Sequence, residues 1–266
     1  MVVSKPANDK YIALFLISLL QTDKSYNVIQ SVVCAVKWAH GIEGLVDPTS
    51  QFSRNILECA KRTAKTKRRP KEPLTPDMIK LMYVRIGGEK ASLLELRKFC
   101  ILLLSYVGFL RFDEVSNLVK GDISFYHTHM SIFIEKSKTD VYRDGHTLVI
   151  SRLESECCPV RVLGNYISKG NIVEDGAFLF RATTWWKILG VYTLRTANKP
   201  MSYSTARLDA LELIGSLGVD PKKIGLHSAR SGGATSAANN GIPDRLFKGA
   251  LRGTVVGYQT EPKTAM

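Results

Sequence analysis

Acidic residues are scarce in this chain. Against 37 Lys and Arg it carries 24 Asp and Glu, a net charge of +13 with an isoelectric point of about 9.5. Such a surplus points to a polyanionic partner, nucleic acid before any other. A basic but unspecialised surface is the bland alternative. Paired cysteine chemistry is also missing. The five cysteines, Cys34, Cys59, Cys100, Cys157 and Cys158, are odd in number and show no C-x-x-C spacing. Neither a disulfide framework nor a zinc site is expected, and a reducing compartment fits best. His127 and His129 flank a turn without a third ligand near them in sequence, so no metal is expected. Long apolar runs are absent too. The longest, Phe99–Leu104 continuing to Leu110 past Ser105, is too short to span a bilayer. Lys5 and Lys10 before the apolar stretch Tyr11–Leu20 imitate a secretory leader, but no small-residue cleavage site follows, only Gln21-Thr22-Asp23-Lys24. No membrane partner is expected.

What is present is an ordinary globular composition, with 45% hydrophobic residues and a mean hydropathy near zero. At 266 residues the chain is long enough for one or two domains. The first part reads as consecutive helices: Tyr11–Leu20, then Tyr26–Trp38 with Val28, Val32, Ala35 and Val36 at helical spacing, then Ser53–Ala64 after the opening Asp47-Pro48-Thr49. Gly41 and Gly44 interrupt the pattern. The sharpest shift in composition follows: seven of the eleven residues from Lys61 to Lys71 are Lys or Arg. Self-repulsion and Pro70 argue for an extended connection between domains. Lys61, Arg62, Lys65, Lys67, Arg68 and Arg69 are candidate contacts to a DNA backbone; a nuclear-import signal and a merely solvated linker are the competing readings.

Thr75-Pro76 supplies a helix cap followed by proline at the first helical position, so a second domain starts there. A helix over Leu93–Val107 is apolar on nearly every side and belongs in the core. Gly108 ends it, and a short helix starts at Phe112. Asp122–Tyr126, Met130–Ile134 and Thr147–Ile150 predict a small three-stranded antiparallel sheet. A helix from Cys158-Pro159 through Ile167 comes next, then one over Thr205–Leu217 with Leu208, Leu211, Ile214 and Leu217 on one face. The fold class is therefore mainly α with a small three-stranded antiparallel sheet.

Two segments carry chemistry. In Gly108-Phe109-Leu110-Arg111-Phe112-Asp113-Glu114-Val115, an arginine projects from the edge of the core just after a buried helix. Its guanidinium requires an anion, either Glu114 or an external phosphate. In Gly225-Leu226-His227-Ser228-Ala229-Arg230, the histidine and arginine lie three apart on one helical face. The small residues Ser231–Ala238 then let that helix pack closely on its neighbours.

G-F-L-R-x-x-E-V followed at this distance by L-H-x-x-R-x-G resembles the two signature boxes of the tyrosine recombinases, the phage integrase family. The resemblance runs from about Tyr26 to about Lys248, and its wording around Lys138 and His227 is similar to recombinases of the DIRS or Crypton mobile elements. It implies a helical, SAM-like core-binding domain over 1–69, truncated at its N-terminal side, a basic linker over 61–74, and an integrase-like catalytic domain over 75–266 with an atypical C-terminal end. It further implies that Arg111 and Arg230 clamp the non-bridging oxygens of a scissile phosphate. His227 assists there, Glu114 holds the cluster in place, and Lys138 protonates the departing 5′ oxygen, with Lys136 as runner-up. Structural ion pairing among Arg111, Arg230, Asp113 and Glu114 is the plainer reading of the cluster.

The expected partner is double-stranded DNA, the assembly a homo-tetramer on DNA, and the location the nucleus. No cofactor is expected, because a tyrosyl link to the 3′ phosphate conserves bond energy. The nucleophile is where the pattern breaks. No His or Trp follows His227, and Tyr258, after Gly257, is the only tyrosine beyond it, 31 residues on. Either Tyr258 is the nucleophile, or the chain is a DNA-binding remnant that no longer cleaves.

Overall fold

A computed structural model describes residues 7–63, 71–135 and 145–243. The chain divides into two compact units, residues 1–69 and 70–266.

Among its described residues the first unit holds three helices, α1 (Asp9–Gln21), α2 (Tyr26–Ile42) and α3 (Gln51–Thr63). Asn8 and Ser25 cap the first two, each side chain accepting from an amide of the opening turn. Ile12 and Leu16 of α1, Ile29 and Val33 of α2 and Ala60 of α3 form the unit's small core. α2 continues through Gly41 and stops before Gly44, whose positive φ of 67° only glycine adopts at little cost. His40 is buried, with Nδ1 2.8 Å from the Val36 carbonyl and Nε2 accepting from the Ala7 amide at 3.0 Å. Lys61 and Arg62 form the last turn of α3 rather than an extended strand, because both are good helix formers and suit the negative end of the helix dipole.

The second unit is helical around a small sheet. α4 (Pro76–Arg85) begins at the Thr75 cap, and α5 (Leu93–Val107) at a capping box between Ser92 and Glu95. α5 is the central helix, with eleven of its fifteen residues buried. Two of these are charged. Arg97 pairs with Asp209 at 2.7 Å and Lys98 with Glu212 at 2.8 Å, tying α5 to α8 (Tyr203–Gly215). α6 (Phe112–Ser116) follows a two-residue reversal. β1 (Ile123–Phe125), β2 (His129–Ile134) and β3 (His146–Ser151) form an antiparallel sheet in that order, with Ile132 opposite both Ile123 and Leu148. Met130, Ile132 and Ile134 alternate inward, as a half-buried strand requires. α7 (Pro159–Lys169) packs on α5, and a separate hairpin, β4 (Thr183–Trp186) with β5 (Val191–Leu194), precedes α8. α9 (His227–Asn239) closes the unit against α5.

The fold is mainly helical with a small three-stranded antiparallel sheet. The face assigned to α8 differs from expectation. Leu208 is exposed, and the buried stripe is Ala206, Ala210, Leu213 and Ile214. The departure is confined to Leu208, since Ile214 is buried as expected and Leu211 and Leu217 are half-buried.

Candidate functional site

Arg111, Glu114 and Arg230 come together at the junction of α5, α6 and α9. The local chain makes this unavoidable. α5 ends at Gly108, where a Cβ would lie 2.6 Å from Leu148 Cδ2 and 3.0 Å from Leu104 O. Phe109 then takes a left-handed φ of 51°, an uncommon conformation for an aromatic residue, and its ring is buried. The reversal turns Leu110 inward and leaves Arg111 as the residue before α6. Glu114, in the third position of α6, reaches back so that Oε2 accepts from the Arg111 amide at 2.6 Å.

The same carboxylate serves two guanidinium groups. Glu114 Oε1 accepts from Arg111 Nη1 at 2.8 Å, and Oε2 lies 3.7 Å from Arg230 Nη1. The Glu114 side chain is 6% exposed, that of Arg230 18% and that of Arg111 26%. Burial holds Arg230 below the usual guanidinium range, the neighbouring Arg111 charge pushes the same way, and Glu114 opposes both. Among these three side chains, one negative charge thus lies between two positive ones in a half-buried place.

His227 opens α9 and is exposed, with Arg230 one turn along. The first turn of α9 has no acidic residue and no side-chain cap, so its amide dipoles add to the positive field. Two contacts fix where that turn lies. The Leu74 amide donates to the Ser228 carbonyl at 2.9 Å, and the Glu72 amide to the Lys223 carbonyl at 2.7 Å, so the chain entering this unit is strapped along the start of α9. Further on, a Cβ on Gly232 would overlap Leu74 O, and one on Gly233 would overlap Tyr106 O. α9 therefore lies backbone to backbone against both the strap and α5. The small-residue run gave warning of this close packing; the strap had no local sequence signal.

The other candidates are placed as follows. Lys61 and Arg62 are exposed on α3. Lys65, Lys67, Arg68 and Arg69, together with Lys136, Lys138 and Tyr258, lie outside the described residues. Asp113 is exposed and its backbone carbonyl accepts from Asn117 Nδ2 at 2.6 Å. Tyr126 stacks on His129 at the β1–β2 turn. Among the described residues no group of three or more His, Cys, Asp or Glu is arranged to hold a metal ion, and no helix is long and apolar enough to cross a membrane. The five cysteines are free thiols.

The phage integrase family model matches residues 72–251 of this chain. An integrase/recombinase XerD homolog of Selenomonas ruminantium is 27% identical over 246 residues, which span 91% of this chain and 69% of that protein. Among solved structures, XerH site-specific recombinase bound to palindromic difH substrate aligns over 93% of this chain and 66% of its own, with a TM-score of 0.63 at 14% identity. The Tn1549 transposon integrase in complex with transposon right-end DNA aligns over 92% and 77%, with a TM-score of 0.61 at 17% identity.

Proposed function

The chain belongs to the phage integrase family, and on that premise we propose that it breaks and rejoins duplex DNA at specific sites through a 3′-phosphotyrosyl intermediate. The observation that carries this reading is the Glu114 carboxylate set between Arg111 and Arg230, with His227 exposed one turn before Arg230 on α9. Phosphoryl transfer spreads charge over the equatorial oxygens of phosphorus, and paired guanidinium groups neutralise it best. In this proposal Arg111 and Arg230 bind the two non-bridging oxygens, and Glu114 keeps the two cations from repelling each other apart. His227 hydrogen-bonds the phosphate and assists proton transfer near neutral pH.

The phenolic oxygen of Tyr258 attacks phosphorus, the bond to the 5′ oxygen breaks, and Lys138 gives that oxygen its proton. Attack by an incoming 5′ hydroxyl reverses the step and releases the tyrosine. One phosphodiester-type bond replaces another, so neither ATP nor a metal is consumed. Lys61, Arg62, Lys65, Lys67, Arg68 and Arg69 follow the duplex backbone, with the helical first unit acting as the SAM-like core-binding domain. The DNA named for the XerH and Tn1549 neighbours supports double-stranded DNA as partner. Further parts of the proposal are assembly as a homo-tetramer on DNA, a DIRS or Crypton type of mobile element as origin, and action in the nucleus. The box wording and the basic run carry those three.

One sequence feature favours a second reading, a DNA-binding remnant that does not cleave: no His or Trp follows His227, and Tyr258 is 31 residues beyond it. A displacement of about 1 Å at a nucleophile can cost around a hundredfold in rate. A nicked suicide substrate separates the two. The enzyme reading expects a covalent protein–DNA adduct that disappears in Tyr258→Phe and in Arg230→Ala. DNA binding without any adduct establishes the remnant, and an adduct of unchanged yield in Tyr258→Phe rules out that nucleophile.

A further inference from the structure

The hairpin between α7 and α8 takes no part in the cluster above, and it stands out in two independent ways. The first is charge. From Gly176 to Leu208 the chain has no Asp or Glu, while Arg181, Lys187, Arg195, Lys199 and Arg207 fall within the same span. With 24 acids in 266 residues, an acid-free stretch of that length is a strong local bias. The second is apolar exposure. Register pairs Trp185 with Tyr192 and Thr183 with Leu194, and Tyr192 and Leu194 pack on the core. The opposite face and the tip carry Trp186 at 49% exposure, Ile188 at 86%, Leu189 at 59% and Val191 at 45%, with Lys187 exposed among them.

The base of the hairpin is firmly held. Arg97 Nη1 donates to the Arg181 carbonyl at 3.0 Å and lies 3.3 Å from Thr183 Oγ1, and the Arg195 amide donates to the Ala182 carbonyl at 2.9 Å. Beyond the hairpin, the start of α8 touches α6. Tyr203, at the start of α8, meets Phe112 edge to face with ring centroids 5.5 Å apart, and Phe112 is the residue after Arg111. The hairpin is thus a cationic, apolar ribbon anchored at Arg97, early in α5.

We propose that the β4–β5 hairpin is a second contact to duplex DNA, additional to the phosphate held by Arg111 and Arg230. Lys187 pairs with a backbone phosphate, while Trp186, Ile188 and Leu189 lie against sugar faces and base edges in the groove. Duplex DNA is the occupant that the charge selects. A span from 176 to 208 with five Lys and Arg and no Asp or Glu complements the evenly spaced phosphates of a polyanion. The proposal rests on the reading of the chain as a DNA-binding recombinase and adds a recognition element to it.

The test uses the full chain with Trp38→Phe, which leaves Trp185 and Trp186 as the only tryptophans. Addition of a synthetic duplex is expected to quench their emission along the same curve that fluorescence anisotropy gives for binding. Trp186→Ser with Lys187→Ser, both exposed positions, should weaken binding about tenfold and lower the slope of log affinity against log salt by about one, with an unchanged circular dichroism spectrum. Binding that depends on Arg230 but leaves the tryptophan emission and the salt slope unmoved overturns the hairpin proposal alone. So does loss of self-association without DNA in the double variant, which makes the ribbon a protein-contacting face. Binding that needs the hairpin but is indifferent to Arg230→Ala overturns the phosphate cluster and leaves the hairpin standing. Absence of binding in every form removes both.

Discussion

At the scale of single residues, Glu114 decides the behaviour of the cluster. Its charge lies against both Arg111 and Arg230. Glu114→Gln keeps the shape and an acceptor for the Arg111 amide but leaves two cations facing each other. Because both arginines are partly solvated, the expected loss is about 1–3 kcal/mol rather than that of a fully buried pair. Urea unfolding reads it, and sulfate should restore more stability to the variant than it adds to the parent, since an external anion then takes the place of the carboxylate. Equal gains in the two proteins would mean that the cations do not depend on Glu114. The sequence made this legible, because an arginine three residues before a glutamate at a helix start has few other partners within reach. Arg97 and Lys98 were not legible: both lie in a helix expected to be apolar almost throughout, and only the tertiary partners Asp209 and Glu212 explain their burial.

Among the elements, α5 and α6 have the bounds that Gly108 and the apolar run predicted, and the three strands agree to within a residue or two. Periodicity and turn residues are local signals, and these elements obey them. α8 obeys them at Ile214 but not at Leu208, which is exposed. The β4–β5 hairpin was not anticipated at all. Its strands are four residues each, and its exposed tryptophans mimic a buried run, which hides the alternation that marks a strand. Glycines give a sharp test of close helix packing. Gly233→Ala places a Cβ on Tyr106 O and should destabilise by roughly 2–3 kcal/mol despite the better helix propensity of alanine. Gly164, within α7, has nothing within 4 Å of such a Cβ, so Gly164→Ala should stabilise by about 0.5–1 kcal/mol. Thermal melts of the two variants should therefore shift in opposite directions, and a shared direction means that α9 does not lie on α5 as described.

For the molecule as a whole, the buried titratable groups set the range of pH it tolerates. Burial pushes the Cys157 thiol up to about 12 from its ordinary 9.0, and pushes Cys100, Tyr83, Tyr106 and Tyr166 upward as well. Above pH 9 the unfolded chain releases thiol and phenol protons that the folded chain keeps. Stability is therefore full below about pH 9 and falls as pH rises toward 12, by up to about 1.4 kcal/mol per pH unit for each proton involved. Urea midpoints at pH 8, 9, 10 and 11 follow it, and a flat series contradicts the burial of these groups. At pH 8 a thiol reagent should label the exposed Cys34 and Cys59 and leave Cys100, Cys157 and Cys158 largely unmodified.

The strap along α9 gives the connection between the two units an unequal pair of ends. Tension applied along the chain through Lys71 arrives first at the Lys223 and Ser228 carbonyls, within a turn of His227 and Arg230, before it meets any other helix of the second unit. A single residue inserted between Glu72 and Leu74 shifts the register of the seam that places the start of α9, and with it the imidazole and its arginine.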